Sequence, residues 1–232
     1  MSTRGDLADR QTAILGSILD FRYIAIEGPI GVGKTTLARH LGLRLDAAMV
    51  LDEPENPFIA DLYGGRPGAA FQAQLFSVLA RHRQQSALRQ ADLFSKGTVS
   101  DYLFDKDKIY AYLNLDDNEL FIYQRLYELL ATDVVAPDLV VYLQTQTAVL
   151  CRRARAHRQR DGEVPFPDDE YLGELNKAYT HFFYHYSATP LLVVDTSQVD
   201  LEWGDELLDD LVKQLGDMGR GTRYYVPRTG TV

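Results

Sequence analysis

Cysteine, tryptophan and long apolar runs are scarce in this chain. It has 232 residues with one cysteine, Cys151, and one tryptophan, so no intrachain disulfide can form. No apolar run approaches the roughly 18–20 residues that a membrane-spanning helix needs, and the first residues, MSTRGDLADRQ, contain no apolar signal core. We therefore expect a cytoplasmic protein with no membrane partner.

Basic residues are outnumbered by acidic residues. The chain carries 24 Lys and Arg against 33 Asp and Glu, a formal net charge of −9. Nucleic-acid polymers are bound through net basic surfaces, so the charge argues against such a partner. Hydrophobic residues make up 46% of the chain and charged residues 25%, which is the composition of an ordinary globular protein.

Short apolar runs alternate with longer segments of helical spacing. The runs are 23–27, 48–53, 98–102, 138–143 and 191–195, and the helical segments begin near Lys34, Ala69, Asp117, Thr147, Asp169 and Glu202. This alternation predicts an α/β fold with a parallel sheet of about five strands flanked by helices. No repeat or linker divides the chain, which predicts a single domain with a core at about 21–216 and a C-terminal tail at 217–232. Ligands bind such sheets beyond the carboxyl ends of the strands.

A glycine-rich loop follows the first predicted strand. Its sequence, GPIGVGKT, matches the phosphate-binding pattern G-x-x-x-x-G-K-[ST]. Backbone N–H groups and the positive end of the following helix would hold phosphate oxygens. Lys34 would reach the β- and γ-phosphates, and the Thr35 hydroxyl would ligate Mg²⁺. The predicted ATP-binding residues are Gly28, Pro29, Ile30, Gly31, Val32, Gly33, Lys34, Thr35 and Thr36.

Two other users of this loop are disfavoured by missing motifs. A switch GTPase is expected to carry N-K-x-D, but the only Asn-Lys pair, Asn176–Lys177, is followed by Ala-Tyr. No apolar run ends in Asp-Glu where a transporter ATPase would keep its Walker B pair. The pattern therefore favours a small-molecule kinase of the P-loop fold.

Acidic residues close the next two predicted strands. Asp52 and Glu53 close the second strand, and a carboxylate there would accept the proton of an attacking hydroxyl. Asp101 follows the third strand and would hold Mg²⁺ directly or through water. The charged run 105–108 that comes next is interpreted as a solvated helix face.

An arginine cluster follows the fourth predicted strand. Within the segment CRRARAHRQRDGE the arginines are Arg152, Arg153, Arg155, Arg158 and Arg160. Guanidinium groups clamp phosphate through paired hydrogen bonds, and Gly162 and two prolines then interrupt the helix. The cluster predicts a lid at about 152–168 that closes over the triphosphate. The alternative is a charged helix face paired with acidic neighbours.

In this order, these residues resemble the deoxyribonucleoside kinase family from about Tyr23 to Asp195, and its bacterial purine-specific members most closely. The resemblance implies transfer of the γ-phosphoryl group of ATP, with Mg²⁺, to the 5′-hydroxyl of a deoxyribonucleoside, with a purine favoured. It also implies a homodimer that pairs through the helix from about Ala69 to Phe94. The loop 195–200 would lie against the donor base.

The resemblance assigns further roles residue by residue. Glu53 matches the family's base for the 5′-hydroxyl, Gln72 of Phe71–Gln72 the amide that reads the nucleobase, and Tyr63 the tyrosine that holds the sugar 3′-hydroxyl. The lid pattern R-x-R-x-x-E falls on Arg158, Arg160 and Glu163. The arginines would clamp the donor phosphates and act in catalysis with Lys34, and Glu163 would join Tyr63 at the 3′-hydroxyl.

Two departures from the family pattern leave alternatives open. Tyr102 stands where the family carries an arginine after its third-strand acid, with Arg153, Arg155 or Lys106 as the basic residues available to substitute. Leu79 stands where some members carry a base-sensing arginine. The missing arginine leaves open a nucleotide-binding regulatory or scaffold protein without catalysis. The arginine cluster of the lid, which could bind an acceptor phosphate, leaves open a nucleoside monophosphate kinase similar to thymidylate kinase.

Overall fold

The structure, a computed structural model, describes residues 21–52, 56–90, 97–161, 167–199 and 202–227, with the backbone alone described for 87–90 and 157–161. Strands in these ranges form one parallel sheet in the order β2-β3-β1-β4-β5-β6. They are β1 (Tyr23–Glu27), β2 (Ala48–Val50), β3 (Thr98–Ser100), β4 (Leu139–Gln144), β5 (Leu191–Asp195) and β6 (Thr222–Tyr225).

Helices connect the strands and pack on the sheet. They are α1 (Lys34–Arg44), α2 (Ile59–Tyr63), α3 (Ala69–Gln90), α4 (Lys106–Asn114), α5 (Asp117–Ala131), α6 (Thr147–Asp161), α7 (Asp169–Tyr184) and α8 (Asp205–Gly216). Within the described ranges, no helix is both long enough and apolar enough to span a bilayer.

The predicted α/β architecture is confirmed, and so are its five strands, although β2 and β3 end two or three residues earlier than expected. A sixth strand, β6, lies in the predicted tail and pairs with β5. Its sequence, TRYY, is largely exposed and gives no apolar run to detect. Tyr225 donates a hydrogen bond to Asp210 of α8 at 2.6 Å, which fastens this strand to the domain. The division into core, lid and tail stays a prediction.

Burial on both faces explains why β1 and β4 occupy the centre. All five residues of β1 are buried, as are the first five of β4. Ile24 and Ile26 pack into the cluster on one face of the sheet, and Tyr23 and Ala25 into the cluster on the other. Strands buried in this way are typical of parallel sheets covered by helices.

The strand order reverses at β1. The chain leaves β1 towards β2 and β3 on one side and later returns to β4 on the other. Such a switch point opens a crevice at the carboxyl ends of the strands. The phosphate loop, the residues after β2 and the residues after β3 all lie at that edge.

Candidate active site

The phosphate loop turns tightly against the centre of the sheet. Gly33 has a φ angle of 104°, in the left-handed region that side chains disfavour. A Cβ added at Gly28 would lie 2.6 Å from the carbonyl oxygen of Leu143 on β4. Glycine is therefore required at the first position of the motif by close packing and at the sixth by backbone conformation.

Helix α1 begins directly behind this loop and directs its N-terminus into the crevice. Its N-cap is Gly33, so no side chain caps the first N–H groups, and such groups bind phosphate. Lys34 Nζ donates to the carbonyl oxygens of Gly28 at 2.8 Å and Pro29 at 3.1 Å. Burial lowers the pKa of Lys34 to about 8, although the charge of Glu27 opposes this shift.

Asp101 joins the phosphate loop to the end of β2. Its carboxylate is 2% exposed and accepts a hydrogen bond from the Thr35 hydroxyl on one oxygen. The other oxygen accepts from the backbone N–H of Asp52 at 2.6 Å. The structure thus brings together two predicted metal-site residues and places them beside the residue that precedes Glu53.

The donor atoms of Thr35 and Asp101 fit a magnesium site. Hydroxyl and carboxylate oxygens are the ligands that this small hard cation accepts. Among the residues that the structure describes, no group of three or more His, Cys, Asp or Glu side chains converges on a metal position. Mg²⁺ held here would therefore take its remaining ligands from phosphate and water, as it commonly does.

The interpretation of residues 105–108 as a solvated face is wrong for two of them. Lys106 is 6% exposed and Asp107 is 1% exposed. Lys106 Nζ donates to Asp52 at 2.6 Å, and Asp107 forms an ion pair with Arg81 of α3. Arg81 also binds Asp52 through two bonds of 2.9 Å each. These four side chains form a charge network that sequence reasoning missed.

The charges of this network lower the pKa of its central carboxylate, Asp52. Burial acts to raise the pKa of Asp52, but Lys106 and Arg81 outweigh it and hold that pKa well below its ordinary value. Burial raises the pKa of Asp107, with Arg81 opposing the shift. Asp52 is therefore the anionic centre between the two cations.

Glu27 is a second buried carboxylate at this edge. Its oxygens accept from the backbone N–H groups of Gly28 at 2.8 Å and Leu103 at 2.7 Å, and from the Tyr179 hydroxyl at 3.1 Å. Burial raises its pKa, while Lys106 and Lys34 lower it in part. Because it bonds three segments at once, Glu27 fixes the start of the phosphate loop against β3 and α7.

The two glutamines near the start of α3 lie in different environments. Gln72, the predicted base reader, is exposed. Gln74 is 5% exposed and donates to the carbonyl oxygen of Asp107 at 2.8 Å. Arg81 follows Gln74 by two helical turns, so counting from Gln74 places an arginine where counting from Gln72 reaches Leu79. The role of Gln72 as the base reader stays a prediction. Gln74 is the one of the two glutamines that faces the interior.

Tyr63 of α2 packs against helix α7. Its ring packs edge-on against Tyr171 of α7 at a centroid distance of 5.9 Å, and the Tyr171 hydroxyl accepts from Asn114 at 2.9 Å. Burial raises the pKa of Tyr63, so its hydroxyl stays protonated and can donate or accept a hydrogen bond.

The arginine-rich helix is only partly described. Arg153 donates to the Thr196 hydroxyl at 3.2 Å and to the carbonyl oxygens of Thr196 and Val199 at 2.7 and 2.8 Å, so it binds the loop after β5. Arg155 is 66% exposed and paired with Asp169. Glu53, Glu163 and the side chains of Arg158 and Arg160 lie outside the described residues, so their predicted roles stay predictions.

Known protein sequences place this site in a family. The model of the deoxynucleoside kinase family matches residues 24–218. A deoxyguanosine kinase from Bacillus subtilis is 33% identical over 160 residues, which cover 68% of this chain and 76% of the relative. A deoxyadenosine kinase from Dictyostelium discoideum is 33% identical over 170 residues, which cover 71% of this chain and 67% of that protein.

Solved structures agree with these sequence relatives. A deoxyadenosine kinase from M. mycoides with bound dATP superposes with a TM-score of 0.65 at 26% identity. The alignment covers 83% of this chain and 97% of the other. The same enzyme with dCMP and dCDP gives a TM-score of 0.67 at 23% identity, which supports the fold.

Proposed function

The chain belongs to the deoxynucleoside kinase family and is a deoxyribonucleoside kinase, and on that premise we propose that it uses ATP with Mg²⁺ and favours a purine acceptor. The observation that carries the proposal is the chain of contacts from Thr35 through Asp101 to Asp52. It joins a phosphate-binding loop to the segment that holds the predicted base, Glu53. The purine preference rests on the named activities of the relatives.

The donor side would be held by the phosphate loop. The N–H groups of residues 28–36 and the Lys34 ammonium would bind the β- and γ-phosphates. Thr35 and Asp101 would hold Mg²⁺, which supplies positive charge to the phosphates when bound. Arg158 and Arg160 of the lid would neutralise charge on the far side of the transferred group.

In the transfer itself, the 5′-hydroxyl oxygen of the acceptor forms a bond to the γ-phosphorus. The bond from that phosphorus to the β–γ bridging oxygen breaks, and ADP leaves with the electron pair. Glu53 takes the hydroxyl proton as the new bond forms. Glu53→Gln is expected to lose most turnover, and near-full turnover in this variant would exclude Glu53 as the base.

The acceptor would lie on the β3 side of the phosphate loop, where Asp52, Gln74, Arg81 and Asp107 meet. A primary amide and a guanidinium–carboxylate pair offer both donors and acceptors to a base edge. Tyr63 and Glu163 would hold the 3′-hydroxyl. Gln72 stays the residue assigned by resemblance, and a direct comparison with Gln74 is described below.

The assembly and location are also proposed. Leu79 of α3 is 39% exposed, and Phe121, Ile122 and Leu129 of α5 are 59%, 54% and 72% exposed. These two helices pack together, so their shared apolar surface would form the contact between two copies in a homodimer. Light scattering would test this assembly. The protein is proposed to act in the cytoplasm.

The experiment for this function measures ADP release from ATP and Mg²⁺ with each of the four deoxynucleosides, and separately with each monophosphate. Turnover on deoxyguanosine or deoxyadenosine above the pyrimidines supports the proposal. Turnover on monophosphates alone would assign the chain to monophosphate kinases. ATP binding without turnover on any acceptor would point to a regulatory nucleotide-binding protein.

A further inference from the structure

We propose that Lys106 is a catalytic residue whose ammonium group contacts the transferred phosphoryl group. The inference rests on the proposed function, because it assigns a new group to the same transfer reaction. Lys106 begins helix α4 and is 6% exposed. A lysine buried to this degree needs a charged partner, and its partner lies at the junction of the donor and acceptor sides.

Three consecutive contacts connect Lys106 to the phosphate loop. Lys106 Nζ lies 2.6 Å from a carboxylate oxygen of Asp52. The backbone N–H of Asp52 lies 2.6 Å from Asp101, and Asp101 accepts a hydrogen bond from Thr35. The ammonium group therefore stands beside the predicted metal site and next to the residue that precedes Glu53.

Asp52 has a second cationic partner besides Lys106. Arg81 binds both oxygens of Asp52 with its Nε and one terminal nitrogen, each at 2.9 Å. Such a paired contact satisfies a carboxylate in geometry and charge. Lysine carries a compact charge on a flexible stem, so Lys106 can move from Asp52 to a phosphoryl oxygen while Arg81 stays in place.

The other two basic residues that could substitute for the family arginine missing after Asp101 bind other parts of the protein. Arg153 binds the loop after β5 through three hydrogen bonds. Arg155 is 66% exposed and pairs with Asp169. Tyr102, directly after Asp101, is buried and carries no charge. Of the three substitutes for the missing arginine, Lys106 is the one that the structure places at the junction.

The role assigned to Lys106 is electrostatic. As the γ-phosphorus leaves the bridging oxygen of ADP and bonds to the acceptor oxygen, negative charge spreads over its three other oxygens. The Lys106 ammonium group neutralises part of that charge, while Glu53 receives the acceptor proton. Preorganised cations of this kind stabilise the transition state more than the ground state.

The test compares Lys106→Met and Lys106→Arg with a matched control, Lys108→Met. Lys108 lies on the same helix and pairs with Asp105, but it is 39% exposed. We expect Lys106→Met to lose on the order of 10²–10³-fold in kcat, the range for removal of a preorganised charge-stabilising group. Lys106→Arg should recover part of the loss, and Lys108→Met should stay within about twofold of the wild type. Thermal unfolding confirms that each variant is folded.

A second variant separates a catalytic role from a purely structural one. If Lys106 only held Asp52, Asp52→Asn would lower kcat as much as Lys106→Met, and the double variant would be no worse than either. If Lys106 contacts the phosphoryl group, Lys106→Met lowers kcat further in the Asp52→Asn background as well as in the wild type. Folded Lys106→Met with kcat within threefold of the wild type would overturn the inference.

A binding measurement tests the inference independently of the acceptor. Contact with the γ-phosphate predicts that Lys106→Met weakens ATP binding several-fold and leaves ADP binding unchanged, measured by calorimetry with Mg²⁺. An unchanged ratio of ATP to ADP affinity counts against the contact. If wild-type protein phosphorylates no deoxynucleoside, the proposed function fails, and this ratio still decides whether Lys106 reaches the γ-phosphate.

Discussion

The hydroxyl of Thr35 and the carboxylate of Asp101 are hydrogen-bonded across 66 residues of sequence. Thr35 lies on the phosphate loop and Asp101 lies at the end of β3, two elements that the parallel pairing of β1 with β3 brings side by side. Asp101 also binds the backbone of Asp52. One carboxylate therefore sets the position of the phosphate loop relative to the end of β2.

The contact between Thr35 and Asp101 predicts that Asp101→Asn has lower activity and needs more Mg²⁺ to reach it. Loss of the negative charge should raise the Mg²⁺ concentration for half-maximal activity by about tenfold or more and lower kcat by about 10²-fold, because a metal-site charge acts directly on the transferred group. Magnesium titration of initial rates measures both effects. Asp105→Asn, at the N-cap of α4, is the control, and an identical magnesium dependence in the two variants would contradict the assignment of Asp101.

Gln72 and Gln74, near the start of α3, give a paired prediction. Gln74→Ala should raise the KM for the deoxynucleoside by about tenfold, because a buried amide that pairs with a base edge contributes on the order of 1–2 kcal/mol. Gln72→Ala should change it by less than twofold, because Gln72 is exposed. Steady-state kinetics with the preferred acceptor at saturating ATP distinguishes them. The reverse result would restore Gln72 as the base reader.

Local sequence rules led to the phosphate loop and to Asp101. The phosphate loop is a contiguous motif, and Asp101 follows from the rule that ligands meet the carboxyl ends of parallel strands. Both inferences need only neighbouring residues and the strand pattern. The structure accordingly places Thr35 and Asp101 together, as expected.

The charge network around Asp52 was missed because it depends on helix rotation and on contacts between residues far apart in sequence. Residues two apart on a helix point about 200° apart, so the sequence alone did not show which of Gln72 and Gln74 faces inward. Lys106 binds Asp52 from 54 residues away and Arg81 binds it from 29 residues away. A run of alternating charges normally indicates a solvated face, and only the packing of α4 against α3 shows that two of its members are buried.

The raised pKa values of the buried tyrosines predict that the protein unfolds cooperatively at alkaline pH. Of 14 tyrosines, Tyr142 has its pKa raised by burial to about 12 from an ordinary 10.0, and burial likewise raises the pKa values of Tyr110 and Tyr179. A raised folded-state pKa gives stability that is fully present below pH 10 and is lost as the pH rises through the folded value. Unfolding should therefore begin above pH 10.

Tyrosinate absorbance and circular dichroism recorded together test this transition. The buried hydroxyls should ionise together with the loss of secondary structure, and Tyr142→Phe should move the midpoint to higher pH, because one group that favours the unfolded state in alkali is removed. Gradual ionisation of all the tyrosines in a protein that keeps its circular dichroism would contradict the expectation.

The contacts of Arg153 predict that its removal weakens the binding of ATP and leaves the binding of the acceptor nearly unchanged. Its three hydrogen bonds hold the loop after β5, and the sheet order puts β5 on the opposite side of β1 from β3. The acceptor is expected on the β3 side, so the donor nucleoside must extend towards β5. Arg153→Ala should raise the KM for ATP by about fivefold to tenfold, since each lost bond to a charged group weakens the loop by about 1.5–3 kcal/mol. The kcat at saturating ATP and the acceptor KM should change little.

The matched control for Arg153 is Arg155→Ala, because Arg155 lies on the same helix and is 66% exposed. Its KM for ATP should stay within about twofold of the wild type, as expected for an exposed ion pair. Arg153→Lys should recover little, because one ammonium group cannot reproduce the fork that reaches both Thr196 and Val199. A rise in the acceptor KM, with the ATP KM unchanged, would place the loop after β5 on the acceptor side and reverse the arrangement argued from the strand order.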